Sequence, residues 1–214
     1  MLLATVNGDV PPALLLVPGG GLAPLFAVRD TVWDLLTMRA YSEYVNDNVF
    51  SPAGVASRDF THPDDAALAY ASPSDLNSGW NSDNVQGACG AIGWHLTVRE
   101  LLRVLRTFRR AGTIMSASGA QRMLDNGFGL DLTRNTIVGP MYAKGGWWGN
   151  SSGQVEQSSA FMLPRSMELV ILANSPSCGG FSFFNQVADA IDQSTELRLA
   201  TLVTSVVARV LGRG

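Results

Sequence analysis

The chain has 214 residues, of which 46% are apolar and 15% are charged, and its formal net charge at pH 7 is −3. This composition is typical of a globular protein with one sizeable core, and it excludes a disordered chain. The small negative charge gives no reason to expect a nucleic acid as partner, and no apolar run reaches the length of a membrane span.

Residues 1–23 form an atypical N-terminal segment. Its start, from Met1 to Pro12, has no basic residues and contains Asp9, so it lacks the features of a secretory signal. On this basis we expect a cytoplasmic protein.

The two cysteines, Cys89 and Cys178, lie far apart and do not have the spacing of metal ligands. They are able to pair, but two buried free thiols fit a chain without a secretory signal better. We therefore expect no metal and no other cofactor.

Helical patterns occupy much of the first half of the chain. Apolar residues at helical spacing predict a helix over residues 27–48. Thr97 and Glu100 form a capping box, so a second helix is expected to begin just after Thr97 and to end at Gly112. A short helix is expected over residues 118–124.

Three strands are predicted in succession further along the chain. The first contains Lys144, the only lysine, followed by two glycines that let backbone or a ligand come close. A polar turn at residues 150–154 separates it from apolar strands over residues 155–163 and 169–174. The simplest alternative is that Lys144 is only a surface residue of a hairpin.

The chain is predicted to be a single domain over residues 1–214. Residues 24–180 supply a helical lobe and the strands, and residues 181–214 supply C-terminal helices. One helix is expected over residues 181–193 and an amphipathic one over residues 197–211. The apolar face of the latter would cover bare surface or form the contact of a homodimer.

Four landmarks occur in order along residues 41–191: Tyr41-Ser42-Glu43-Tyr44-Val45 with Phe50–Val55, Gly87–Ile92 with Thr97–Leu105, Lys144-Gly145-Gly146, and Leu163-Pro164 with Leu169–Asn174. This region resembles the C-terminal part of the serine β-lactamase and penicillin-binding-protein superfamily, and above all its class C β-lactamase-like esterases. The resemblance implies an α+β, β-lactamase/transpeptidase-like fold. Such a fold has an antiparallel sheet flanked by helices, and here it would be truncated at the N-terminus.

The resemblance also implies roles for the residues around the lysine. Lys144 would hold substrate charge and polarise the general-base network, and the backbone N–H of Trp147 would form half of an oxyanion hole. Gly145 and Gly146 would contact the substrate, and Trp148 would line the acyl pocket.

The nucleophile expected of this superfamily is missing from the sequence. Its serine belongs to an S-x-x-K motif, and no serine lies three residues before the only lysine. Ser151, within Gly149–Gly153, fits the G-x-S-x-G nucleophile elbow of α/β-hydrolases, but that elbow precedes a helix and here a strand is predicted. Ser151 could instead pair with Lys144.

The leading hypothesis is a serine-hydrolase-type acyl hydrolase, a carboxylesterase or β-lactamase-like enzyme, whose partner is a small-molecule ester or amide substrate. One alternative is a non-catalytic remnant or binding module of the same fold. Another is a half-enzyme completed by a complementing N-terminal chain. The weakest is an α/β-hydrolase-type esterase with Ser151 as nucleophile.

Overall fold

The computed structural model describes residues 23–61, 63–82, 85, 88–176 and 184–194. Within these ranges the protein is α+β, with a four-stranded antiparallel sheet and flanking helices, which confirms the predicted class. The chain divides into two compact units, the first made of Met1–Ala66 with Ser82–Thr107 and the second of Ala67–Asn81 with Phe108–Gly214.

The first unit contains helices α1 and α2. Helix α1 spans Ala23–Val45 and continues as a wide π-type turn over Asn46–Phe50. Helix α2 spans Val98–Arg106 and begins with the predicted capping box. In that box the Thr97 hydroxyl accepts the N–H of Glu100 at 3.2 Å, and the Glu100 carboxylate accepts the N–H of Thr97 at 2.9 Å.

Trp94 is partly buried and packs against the core cluster of the first unit. Its ring centroid is 4.9 Å from that of Phe50, edge-on, and 4.3 Å from that of Phe60. Ala53 and Val55 are buried in the same cluster. Aromatic pairs at such separations add to the stability supplied by apolar burial.

A second π-type turn, Thr107–Ala111, follows α2, and Gly112 then has a φ of 66°. A left-handed residue at this point ends a helix, so the predicted end at Gly112 is confirmed. Helix α3, Ala117–Asp125, corresponds to the short helix predicted over residues 118–124.

The sheet of the second unit is a meander in which each strand pairs with its neighbour in sequence. Its strands are β1, Leu132–Thr136; β2, Gly139–Gly149; β3, Val155–Leu163; and β4, Met167–Ala173. Strands β2, β3 and β4 are the three predicted strands. Strand β1 was not predicted, because its sequence LTRNT lacks an apolar alternation.

Each face of the sheet carries an apolar cluster. On one face Met141, Ala143 and Phe161 are fully buried together with Phe184 and Ala188 of helix α4, residues 184–194. On the other face Tyr142 and Met162 pack with Leu124 of α3. The alternation of strand side chains between faces gives this two-sided core.

The turn between β3 and β4 has an unusual backbone. Arg165 and Ser166 have φ of 57° and 58°, values that side chains other than glycine rarely adopt. The guanidinium of Arg109 donates to the carbonyls of Leu163 at 2.7 Å and Met167 at 3.1 Å, at the two ends of this turn. These contacts hold the turn closed.

Several predictions fall on residues outside the described ranges: the atypical N-terminal segment up to residue 22, Cys178, and the helix over residues 197–211. Cys89 is buried and free. Helix α4 corresponds to the helix predicted over residues 181–193.

Candidate functional site

The hairpin between β2 and β3 sets the register of the site. Asn150 closes its turn, because its side-chain oxygen accepts the N–H groups of Ser152 at 3.0 Å and Gln154 at 3.2 Å. Asparagine favours such turns since its short side chain mimics a backbone carbonyl. The register that follows places Gly145 opposite Ser159 and Gly146 opposite Ser158.

The two glycines after Lys144 leave room for close neighbours. A Cβ at Gly145 would lie 2.7 Å from Cζ of Phe184, and a Cβ at Gly146 would lie 2.6 Å from the hydroxyl oxygen of Ser158. Both distances are shorter than ordinary contact between such atoms, about 3.5 Å or more. The glycines therefore let a ring and a hydroxyl approach the backbone of β2.

A cavity of about 290 Å³ opens above this bare backbone. It is lined by Gly145, Gly146, Trp147, Gln157, Ser158, Ser159 and Phe184. Its volume is at the lower end of the range for small-molecule sites, about 300–1,000 Å³. Two aromatic side chains and a few uncharged polar groups are a lining suited to a small organic ligand.

Helix α4 positions the ring of Phe184 in this wall. Arg134 of β1 forms an ion pair with Asp189 of α4 at 2.7 Å, and Asp192 accepts the N–H of Ile137 at 2.9 Å. Phe184 also meets Phe161 edge-on, with 5.6 Å between ring centroids. These contacts fix the helix, and with it the ring, on the sheet.

Lys144 is engaged by a carboxylate that the sequence analysis did not identify. Its ammonium lies 2.8 Å and 3.1 Å from the two oxygens of Asp131, and Asp131 also accepts the N–H of Gly145 at 2.7 Å. Burial alone would raise the pKa of the Asp131 carboxyl. The hydrogen bonds from Lys144 and Gly145 and the charge of Lys144 outweigh this and hold the pKa below its ordinary value.

The edge of β2 beyond Lys144 lacks a strand neighbour on the β1 side among the described residues, because β1 pairs with β2 only as far as Ala143. Gly145 directs its N–H to this side, towards Asp131. Strand backbone alternates, so the N–H of Trp147 points to the same open side. The side chain of Trp147 is 60% exposed beside it.

The two tryptophans of this strand occupy opposite faces. Trp147 lies on the face of Gly145 and lines the cavity. Trp148 points to the other face by the strand alternation. The aromatic wall that β2 gives to the cavity is therefore Trp147 and not Trp148.

Ser151 lies in the turn of the β2–β3 hairpin, beyond the end of β2 at Gly149. Gly149 lies five residues after Lys144, a distance of about 17 Å along the strand. Lys144 and Ser151 are thus not brought together. A strand follows the turn instead of a helix, so the strand–turn–helix arrangement of an α/β-hydrolase elbow is wrong for this segment.

Three cavity residues of β3, Gln157, Ser158 and Ser159, were not predicted, although the turn at residues 150–154 was. Pairing outward from that turn would have placed them opposite Gly145–Trp147. Phe184 was expected to pack on the sheet from the helix predicted over residues 181–193, but no sequence signal places its ring against Gly145 of β2.

The class defined by these features is an α+β protein with a cavity of about 290 Å³ on an antiparallel sheet. The chain matches no protein-family model, no curated protein and no solved structure. No helix in the described ranges is long and apolar enough to cross a membrane. The same residues contain no cluster of three or more side chains suited to holding a metal ion.

Proposed function

We propose that the chain carries the acyl-binding strand of a serine-hydrolase-type site that acts on small esters or amides, in a β-lactamase-like fold. The supporting observation is the arrangement of Lys144 to Trp147. In this strand two glycines border a cavity of about 290 Å³, and the N–H of the next residue points to an open strand edge.

In this proposal the acyl group of the substrate enters the cavity. The carbonyl oxygen meets the N–H of Trp147, which stabilises the negative charge that develops on that oxygen during acyl transfer. Lys144, held by Asp131, adds a positive charge at the same edge of the sheet. The nucleophilic serine comes from a complementing N-terminal chain.

Hydrolysis of p-nitrophenyl acetate and labelling by a fluorophosphonate test this proposal, measured on the protein alone and on the complex with its complementing chain isolated by co-purification. Lys144→Ala and Ser151→Ala are the informative variants, and Lys144→Arg, which keeps the charge, is the matched control. Activity lost in Lys144→Ala and kept in Ser151→Ala supports a nucleophile elsewhere. Activity lost in both variants gives Ser151 a role, and activity unaffected by Lys144→Ala refutes the proposed strand.

The second candidate is a binding module that retains the cavity without a nucleophile. It is favoured by the position of Ser151 in the hairpin turn and by the ion pair that engages Lys144. If neither hydrolysis nor fluorophosphonate labelling is detected, for the protein alone or with a co-purified chain, while small ligands still bind, this candidate replaces the enzyme. The cytoplasmic location and the homodimer stay predictions.

A further inference from the structure

The two edge strands of the sheet differ in composition. In the described part of the chain the strand order is β1-β2-β3-β4, so β1 and β4 lie at the edges. Strand β1 has the polar sequence LTRNT, whereas every residue of β4, MELVILA, is apolar except Glu168. Proteins usually protect a long apolar edge with lysine, proline or a bulge. Strand β4 has none of these, and it pairs with β3 without interruption from Met167 to Ala173. It therefore has the properties of a strand that pairs with another chain.

The register of the sheet shows which backbone groups of β4 face the open edge. In β2 the N–H of Gly145 points towards β1, and strand residues alternate, so Gly146 directs its backbone groups to Ser158 of β3. By the same alternation Ser159 faces β4 and bonds with Ile171. The residues on either side of Ile171 therefore turn their N–H and C=O groups away from β3.

A second contact agrees with this alternation. Val155 faces the same way as Ser159, and its N–H donates to the carbonyl of Tyr70 at 3.2 Å. Tyr70 lies on the β4 side of Val155, since β2 occupies the other side. The outward residues of β4 are accordingly Glu168, Val170 and Leu172. Within the described ranges no backbone group bonds to the N–H or C=O groups of these three residues.

An antiparallel copy of β4 matches this edge. The three outward residues are evenly spaced about Val170, so a two-fold axis at Val170 sets each of them opposite another outward residue. Val170 then pairs with its own copy, and Leu172 pairs with Glu168 at both ends. Each such pair exchanges both of its backbone hydrogen bonds, and the side chains of a pair lie on the same face of the sheet. The edge is thus complementary to itself.

The side chains of β4 are compatible with this pairing. Met167 and Leu172 are large apolar residues that are 48% and 40% exposed, and the pairing would cover part of their surface. Glu168 is the only acidic residue of the strand, and its carboxylate accepts a hydrogen bond from Arg110 at 2.8 Å. Because Glu168 faces Leu172 and not its own copy, like charges do not lie opposite each other. Pairing therefore covers apolar surface without bringing two carboxylates together.

We propose that β4 pairs with β4 of a second copy of this chain and joins the two four-stranded sheets into one continuous antiparallel sheet. The contact leaves the open edge of β2 free in both copies, so it is independent of the proposed acyl site. A strand pair covers less area than a standard interface, which buries about 1,600 Å². We expect a reversible dimer with a dissociation constant of about 1–100 μM.

Sedimentation equilibrium of the full chain tests the dimer. Between about 1 and about 500 μM the mass should rise from that of one chain towards that of two, as a dissociation constant in this range requires. A chain that is monomeric at the highest concentration overturns the proposal.

Leu172→Pro tests whether β4 forms the contact. It removes the N–H that would donate to the other copy, at both ends of the pairing, and an edge strand tolerates proline where its N–H faces outward. The dissociation constant should rise at least about tenfold. Leu172→Ala is the matched control, because it removes the same side chain and keeps the N–H, and it should weaken the dimer less. A Leu172→Pro protein that dimerises as well as Leu172→Ala refutes the contact.

Leu172→Glu decides if Leu172→Pro does not fold. It sets a second carboxylate opposite Glu168 at both ends of the pairing, so the dimer should be weaker than that of Leu172→Ala. Equal dimerisation of Leu172→Glu and Leu172→Ala contradicts the proposed register.

Amide hydrogen exchange locates the contact in the unaltered protein. The amides of Val170 and Leu172 should exchange more slowly at high than at low protein concentration. The amide of Trp147, at the open edge of β2, is the internal control and should exchange equally fast at both concentrations. Protection of Trp147 in place of Val170 and Leu172 would put the dimer contact at β2 and overturn the proposal.

Discussion

Replacing Gly145 by alanine tests the role assigned to the bare backbone of β2. The new Cβ would lie 2.7 Å from Cζ of Phe184, about 0.8 Å closer than ordinary carbon–carbon contact. The ring cannot easily move away, because Phe184 is 4% exposed and meets Phe161 edge-on. Overpacking of this kind costs about 1–3 kcal/mol.

The assay for Gly145→Ala is thermal and urea unfolding, followed by titration with phenylacetamide, a small amide of the proposed substrate class. For a chain of this size each kcal/mol lowers the Tm by roughly 2–4 °C. Binding should weaken as well, since the added methyl group points into the cavity. Gly90→Ala is the matched control, because a Cβ at Gly90 meets no atom within 4 Å.

Gly146→Ala should destabilise the protein less than Gly145→Ala, although its Cβ would lie as close to a neighbouring atom. The obstructing atom is the hydroxyl oxygen of Ser158 at 2.6 Å, and this hydroxyl can rotate away. Alanine also loses less conformational entropy on folding than glycine, by about 0.5–1 kcal/mol. A near-neutral Gly146→Ala beside a destabilising Gly145→Ala supports the reasoning, and a Gly145→Ala protein as stable as wild type with intact ligand binding refutes it.

Further predictions concern stability. Arg109→Ala leaves Glu168, whose side chain is 8% exposed, with fewer charged partners, and should lower the urea-derived free energy of unfolding by about 1–3 kcal/mol. Folding lowers the pKa of Asp131, so its carboxylate stabilises the folded protein at pH values above the pKa it has in the unfolded chain, about 3.9. This stabilisation is lost as the pH falls through the pKa that Asp131 has in the folded protein. The stability difference between wild type and Asp131→Asn should therefore shrink between pH 5 and pH 2. Arg165→Asn with Ser166→Gly supplies residues that tolerate positive φ and should raise the Tm.

Matched controls accompany these measurements. Arg99→Ala changes an exposed arginine of α2 and should alter stability by no more than about 0.5 kcal/mol. Glu43→Gln removes an exposed carboxylate paired with Arg39 and should show little pH-dependent difference from wild type. Equal losses for Arg109→Ala and Arg99→Ala would mean that the contacts at the β3–β4 turn contribute nothing. A Tm unchanged by the paired turn substitutions would show that the positive φ values store no strain.

Local sequence signals were sufficient to predict much of the fold. Strands β3 and β4 have long apolar runs bounded by turn residues, and the Thr97–Glu100 box determines where α2 begins. The strand that carries Lys144 was found because glycines and tryptophans follow the only lysine. In each case the information lies within a few residues of the element.

The missed features depend on contacts between distant residues. Strand β1 has a polar sequence and exists because it pairs with β2, from Leu132 opposite Ala143 to Thr136 opposite Gly139. Without β1 nothing in the sequence places Asp131 beside Lys144, thirteen residues away. The resemblance alone suggested a lysine free to bind substrate charge, and only the register of β1 shows that Asp131 already binds its ammonium.

The meander order of the sheet has a consequence for how the protein folds. Every strand pairs with its neighbour in sequence, so the sheet grows by closing short loops, which is entropically cheap and fast. At one end of the sheet a contact joins residues that are distant in sequence. The N–H of Tyr70 donates to the carbonyl of Asn174 at 2.7 Å, and more than a hundred residues separate the two. We expect this contact to form last during folding and to exchange its amide hydrogen with solvent sooner than the strands beside it.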